Sequence, residues 1–136
     1  PGNLGALARC AEAAGADGLI IAGGSARPFT PKALRGSMGS LLRLPVFEID
    51  DLGAAVTELE DRGVLQCAAA TRGGTLLDGF QFGDRAVVWL TGETGAVHEE
   101  LERVSPITIP MAGEVESLNV TVAGALMLFA AARGPR

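Results

Sequence analysis

Ile109-Pro110-Met111-Ala112-Gly113-Glu114-Val115-Glu116-Ser117-Leu118-Asn119-Val120-Thr121-Val122-Ala123 passes from a strand end, through an acidic loop with one glycine, into an apolar helix. The junction carries Ser117 and Asn119, two small hydrogen-bonding side chains, where the first helical turn leaves its backbone N–H groups unpaired. Its neighbours extend this strand–loop–helix unit to a strand over Ile107–Ile109 and a closing helix over Ser117–Ala132. Upstream, Ala86–Leu90 is an unbroken apolar run that suits a central parallel strand. A short helix over Glu99–Arg103 follows it. Val64–Ala70 reads as another strand, joined to Ala86–Leu90 by a polar, Gly-rich connection over Thr71–Gly83. Before it, a helix over Leu52–Arg62 is capped by Asp50 or Asp51 and stops at Gly63.

The first third repeats the alternation. Asn3 caps a helix over Leu4–Ala14 that ends at Gly15, and Asp17–Ala22 is a buried strand broken by Gly23-Gly24-Ser25. Pro31 opens a short helix over Lys32–Ser37, and Leu44–Ile49 is the next strand. Strands alternating with helices imply an α/β protein with a parallel sheet. Its Gly-rich connections fall at the carboxyl ends of strands, where open α/β sheets hold ligands. The opening helix has no strand ahead of it, so a preceding portion of the protein is expected.

A length of 136 residues with 48% hydrophobic content fits one domain with a substantial core. The apolar run from Leu118 to Ala132 contains Asn119 and Thr121 and is too short for a membrane span. No signal-peptide pattern opens the chain. Cys10 and Cys67 are isolated and His98 is the single histidine, so reduced thiols in the cytoplasm are expected and a zinc site is excluded. The formal net charge of −5 argues against an autonomous nucleic-acid binder, but the distribution is uneven. Residues 1–43 carry five basic side chains (Arg9, Arg27, Lys32, Arg35, Arg43) against two acidic ones, and the remainder six against fourteen. From Gly18 to Phe47 there is no acidic residue. One side of the fold can therefore face phosphate.

Three segments carry chemistry. In Pro1-Gly2-Asn3-Leu4-Gly5-Ala6-Leu7-Ala8-Arg9, Asn3 stands at a helix start and Arg9 six residues on, about 120° around the axis. By itself, an Arg in so apolar a helix reads as a rim residue with its stem on the surface. Leu90-Thr91-Gly92-Glu93-Thr94-Gly95 follows the apolar strand, and Pro31–Val46 combines Arg35 with a Ser/Gly-rich turn suited to a phosphate. No dinucleotide fingerprint or P-loop occurs, and Ser117 has no histidine nearby in sequence for a Ser-His-Asp arrangement.

Pro1–Arg9, Leu90–Gly95 and Ile109–Val120, in this order, resemble the three signature motifs of the SpoU/TrmH-type RNA 2′-O-ribose methyltransferases of the SPOUT class, and Pro31–Val46 resembles the region between the first two. The third motif, Ile109–Val120, is the strongest match; the second departs, with Thr91 and Thr94 where the family has glycines around Glu93. The resemblance implies an α/β knot: a parallel sheet flanked by helices, with the C-terminal helix threaded through the Thr91–Gly95 region as a deep trefoil knot. Connection rules alone would not suggest this. It implies an S-adenosylmethionine cofactor held by Leu90, Thr91, Gly92, Ile109, Met111 and Leu118. Arg9 is then the clamp on the ribose and phosphate, with Asn3, Glu93, Ser117 and Asn119 orienting it, the loops and the nucleotide. RNA, ribosomal in preference to transfer RNA, is the expected partner along Arg27, Lys32, Arg35 and Arg43. A homodimer through the first and last helices is expected, with no metal and no membrane, and an N-terminal RNA-recognition region outside this catalytic domain. A module that binds cofactor and RNA without activity is the alternative.

Overall fold

The computed structural model describes residues 2–24, 26–92 and 98–133. Helix α1 spans Gly2–Ala14 and β1 Leu19–Ala22; α2 (Pro31–Ser37) and the one-turn α3 (Ser40–Arg43) lead to β2, Val46–Ile49. Helix α4 covers Leu52–Asp61, then come β3 (Leu65–Ala70), β4 (Thr75–Leu76), β5 (Ala86–Trp89), β6 (Ser105–Thr108) and α5 (Val120–Ala132). Local chemistry explains the boundaries. Thr30 Oγ1 accepts from Ala33 N (3.2 Å) and Asp51 Oδ1 from Ala54 N (3.0 Å), so α2 and α4 have side-chain N-caps, with Pro31 in the first turn of α2. Gly15 (φ 83°) and Gly63 (φ 71°) end α1 and α4 in the left-handed region. The paired backbone bonds Ala16 N–Ala11 O and Val64 N–Leu59 O complete the Schellman closures.

All ladders are parallel. β1 pairs with β2 (Leu19 opposite Val46), and a second sheet runs β4-β6-β3-β5. Side chains alternate across the strands, so each sheet has two buried faces. Leu19 and Val46 pack with Ala8, Ala33 and Leu41, under α1–α3. Ile20 and Ile49 turn the other way, onto Val56 of α4, Trp89 and Val104, so the two sheets share that core. On the α5 face, Cys67 and Ile107 enclose Met127 with Leu90 and Ile109 beside them. A buried relay crosses this architecture: Trp89 Nε1 donates to Gln66 Oε1 (2.9 Å), and Gln66 Nε2 donates to Val56 O (2.8 Å). Helices thus cover both faces, with α1–α3 and α5 on one and α4 on the other.

Five sequence expectations change. Helix α1 begins at Gly2, so Asn3 lies inside the first turn and is not its cap. Helix α5 begins at Val120 because Asn119, in extended backbone, caps it (Thr121 N to Asn119 Oδ1, 2.8 Å), which leaves Ser117 and Leu118 in the loop. Strand β5 is hydrogen-bonded on one side alone, to β3; among the described residues no ladder joins its other edge to β1. It is not central. Strand β6 starts at Ser105 with Pro106, a position proline tolerates near a strand start, and the Gly-rich connection after β3 contains the short β4.

Candidate active site

Strands β3, β5 and β6 run parallel, so their carboxyl ends and following loops share one edge. Gly74 fixes the loop after β3. A Cβ there would stand 2.6 Å from Pro106 O, and its N–H donates to Thr108 Oγ1 at 3.0 Å. Only glycine fits so close a backbone approach. The loop is thereby laid along the end of β6, and Gly113 (φ 77°) turns the next loop back over it. Between them lies a cleft of about 270 Å³, lined by Thr71 and Arg72 on one side and by Ile109, Met111, Glu114 and Glu116 on the other. Its floor is the core: Leu90 and Ile109 both pack against Cys67, Ile107 and Met127. Burial pushes the Cys67 thiol up to about 12, so it is a packing group and not a nucleophile.

The acidic loop ends at a junction of two helix starts. Asn119 Nδ2 donates to Asn3 Oδ1 at 3.4 Å, while Thr121 Oγ1 lies 3.2 Å from the same oxygen. The α1 and α5 termini are held together by side chains 116 to 118 residues apart in sequence. Helix packing makes this possible: a Cβ on Gly124 would meet Leu7 Cδ2 at 2.6 Å and Leu90 Cδ1 at 2.7 Å, so α1, α5 and the end of β5 meet at a bare backbone.

Helix α2 crosses the first turns of α1 just as closely, at Gly5. Arg27, Lys32 and Arg35 are exposed along this segment and none forms an ion pair among the described residues. Arg43 differs. Its guanidinium grips Glu12 with two bonds (Nε–Oε1 2.6 Å, Nη2–Oε2 2.9 Å), and Ser40 Oγ donates to the same carboxylate. The hydrogen bonds from Arg43 and then Ser40 draw Glu12 down to about 2. Glu12 raises Arg43 in return.

Comparison with known sequences decides the family. The model of the SpoU rRNA Methylase family matches residues 1–129. This chain belongs to the SpoU family. It is 32% identical over 140 residues to the 23S rRNA (uridine(2479)-2′-O)-methyltransferase of Streptomyces viridochromogenes, covering 98% of this chain and 49% of that protein. To the 23S rRNA (guanosine(2553)-2′-O)-methyltransferase RlmP of Bacillus subtilis it is 32% identical over 131 residues, covering 95% and 52%. Among solved structures, the SpoU methyltransferase AviRb from S. viridochromogenes, in complex with AdoMet, superposes with a TM-score of 0.89 at 31% identity, over 98% of this chain and 53% of that one. The SpoU chain spans about half the length of the curated relatives it matches.

The fold brings some expected site residues of the SpoU chain together and leaves others apart. Ile109 and Met111 line the cleft; Leu90 supports it from the core, and Leu118 is half-buried in the loop that leads to α5. Thr91 and Gly92 are exposed at the end of β5, and Glu93 lies outside the described residues. Asn3 and Asn119 are joined directly. Ser117 is exposed two residues before the α5 cap, and Arg9 is exposed on α1 with no ion pair among the described residues. Two contributors were not foreseen. Thr71-Arg72-Gly73-Gly74 sits directly after β3, and Thr121 completes the helix junction; the Gly pair at a strand end was the available signal for the first.

Proposed function

We propose that this SpoU chain is the catalytic domain of an S-adenosylmethionine-dependent methyltransferase that modifies a ribose 2′-hydroxyl of ribosomal RNA. The observation that carries the reading is the junction where the acidic loop reaches α5, in which motif-one Asn3 is hydrogen-bonded to motif-three Asn119 and to Thr121. The two 23S rRNA 2′-O-methyltransferase relatives and the AdoMet-bound neighbour support the substrate class and cofactor. The cleft suits that cofactor chemically. Ile109 and Met111 offer apolar surface to a purine, Arg72 offers charge to a carboxylate, and Glu114 and Glu116 offer charge to the sulfonium and ammonium. Leu90, Thr91, Gly92 and Leu118 complete the binding set.

When bound, S-adenosylmethionine supplies an electrophilic methyl group for in-line displacement by the ribose oxygen. The protein's task is to hold that oxygen in line and to accommodate its proton. Arg9 is the clamp for ribose and phosphate, its planar guanidinium suited to both, and a substrate phosphate relays the hydroxyl proton to solvent. Asn3, Glu93, Ser117 and Asn119 orient the nucleotide and the loops. Arg27, Lys32 and Arg35 take RNA phosphates; Arg43, neutralised by Glu12, contributes less.

Two architectural proposals accompany this reading. Helix α5 is the threaded element of a deep trefoil knot, which the close packing of Gly124 on Leu90 supports. The chain dimerises through α5, whose Val122, Leu126 and Phe129 form one exposed apolar stripe at i, i+4 and i+7. A cytoplasmic setting and a separate RNA-recognition region fit an rRNA substrate.

The test is Arg9→Ala in the full-length protein. Calorimetry with S-adenosylhomocysteine should be unchanged while methyl transfer falls about a hundredfold or more. Undiminished transfer overturns the assignment; cofactor binding without any transfer in the wild type points to the inactive RNA-binding module.

A further inference from the structure

The acid-free segment from Gly18 to Phe47 holds two aromatic side chains, Phe47 on strand β2 and Phe29 in the loop that leads into α2. The Phe29 backbone is held firmly from both sides. Pro28 before it is fully buried, and Thr30 after it caps α2 through Oγ1 and accepts from Leu34 N through its carbonyl (2.9 Å). Yet Phe29 itself is 54% exposed. At the position before an N-cap, a hydrophobic residue ordinarily staples onto the fourth helical residue, here Leu34. Leu34 packs into the Ala8–Ala33–Leu41 core and Phe29 is not part of that cluster, so the staple leaves more than half of the residue's surface in solvent.

Exposed cations surround it in sequence. Arg27 precedes Phe29 by two residues, and Lys32 and Arg35 follow at three and six, all without ion pairs among the described residues. The carboxylate that α1 carries, Glu12, is saturated by Arg43 and Ser40, and Asp51 is engaged at the α4 cap. The segment is also tied to the junction: α2 crosses α1 at Gly5, one helical turn from the end where Asn3 meets Asn119 and Thr121. A pre-positioned aromatic face among unpaired cations matches single-stranded nucleic acid, whose bases stack on rings while phosphates pair with Arg and Lys.

We propose that Phe29 is a stacking platform for an unpaired base of the RNA substrate, with Arg27, Lys32 and Arg35 on the flanking phosphates. This rests on the methyltransferase reading for its substrate class and adds a positioning residue that none of the three motifs contains. It holds a neighbouring nucleotide so that the target ribose is presented to the cleft. Stacking requires a π face, so an aliphatic residue of similar bulk does not replace Phe29.

The test uses Phe29→Ala, Phe29→Leu and Phe29→Trp in the full-length protein, with folding checked by thermal melting. Binding of a short fluorescein-labelled single-stranded oligouridine is followed by anisotropy, beside methyl-transfer kinetics on ribosomal RNA. Phe29→Ala and Phe29→Leu should each weaken oligouridine binding about tenfold or more and raise KM for RNA similarly. Phe29→Trp should restore both, with kcat and S-adenosylhomocysteine affinity unchanged throughout. Wild-type behaviour of Phe29→Leu overturns the proposal, because it reduces Phe29 to a staple. If the wild type transfers no methyl group but binds oligouridine through Phe29, the stacking site stands and the enzymatic reading falls. If it binds no oligouridine, the stacking site falls whether or not methyl transfer is seen.

Discussion

Gly5→Ala separates the packing described above from ordinary helix propensity, because the two predict opposite signs. In an exposed helix interior, replacing glycine by alanine stabilises by about 1 kcal/mol. At Gly5 the new Cβ would lie 2.5 Å from Ala33 O and 2.8 Å from both Gly36 C and Ser37 N. All three are backbone atoms, so no rotamer change relieves the overlap, and α2 must move away from α1. Forced overpacking of a tight interior costs about 3 kcal/mol at the upper end of its usual range. The net expectation is a destabilisation of about 2 kcal/mol, or a fall in Tm of roughly 6–10 °C at this chain length. Thermal melting by circular dichroism reads it. Gly53→Ala is the control: its Cβ would meet Asp51 Oδ1 and Glu100 Cγ at an ordinary 3.5 Å, so it should be neutral or stabilising by up to about 1 kcal/mol. A Gly5→Ala variant as stable as wild type, or more so, refutes the close α1–α2 crossing and the route by which α2 is tied to the site.

Gln66→Leu removes the acceptor of Trp89 Nε1 and the second donor to Val56 O, which keeps its place in α4, so one buried N–H is left unpaired. It should lower stability by about 1–3 kcal/mol in urea titration, and no loss would mean that water replaces the relay. Glu12 has its native carboxyl near 2 against a usual 4.5, so its contribution is complete above about pH 4.5 and disappears as pH falls towards 2. Glu12→Gln should flatten the dependence of the urea midpoint on pH within that window; an unaltered slope contradicts the Arg43–Ser40–Glu12 cluster. Leu126→Asp places a charge in the exposed α5 stripe and should convert a dimer to a monomer in sedimentation. An unchanged mass removes α5 as the interface.

Fold class was legible because each local signal agreed with the global arrangement. Gly15 and Gly63 stop helices where left-handed backbone is required, Pro31 opens α2, and Asp51, one of two expected caps, caps α4. What escaped were features created by tertiary contact. Asn3 has a cap-like residue type and position, but its side-chain oxygen is taken by Asn119 and Thr121, more than a hundred residues away. The apolar run of β5 suggested two neighbours, yet burial by α4, α5 and β3 satisfies it with one ladder. In the site, Ile109 and Met111 were readable from the third motif, whereas Arg72 enters the cleft because Gly74 lies against Pro106. Arg43 looked like a phosphate ligand by composition; its partner Glu12 lies 31 residues earlier and is matched to it by folding alone.

The central claim, transfer of a methyl group to a ribose 2′-oxygen, is tested most directly by the chemical position of the label. The full-length protein is incubated with ribosomal RNA and S-adenosylmethionine carrying a tritiated methyl group, and the RNA is then hydrolysed in alkali. A 2′-O-methyl group blocks cleavage of its adjoining phosphodiester, so the account predicts tritium in alkali-resistant dinucleotides. Tritium recovered in mononucleotides, as base methylation would give, contradicts it.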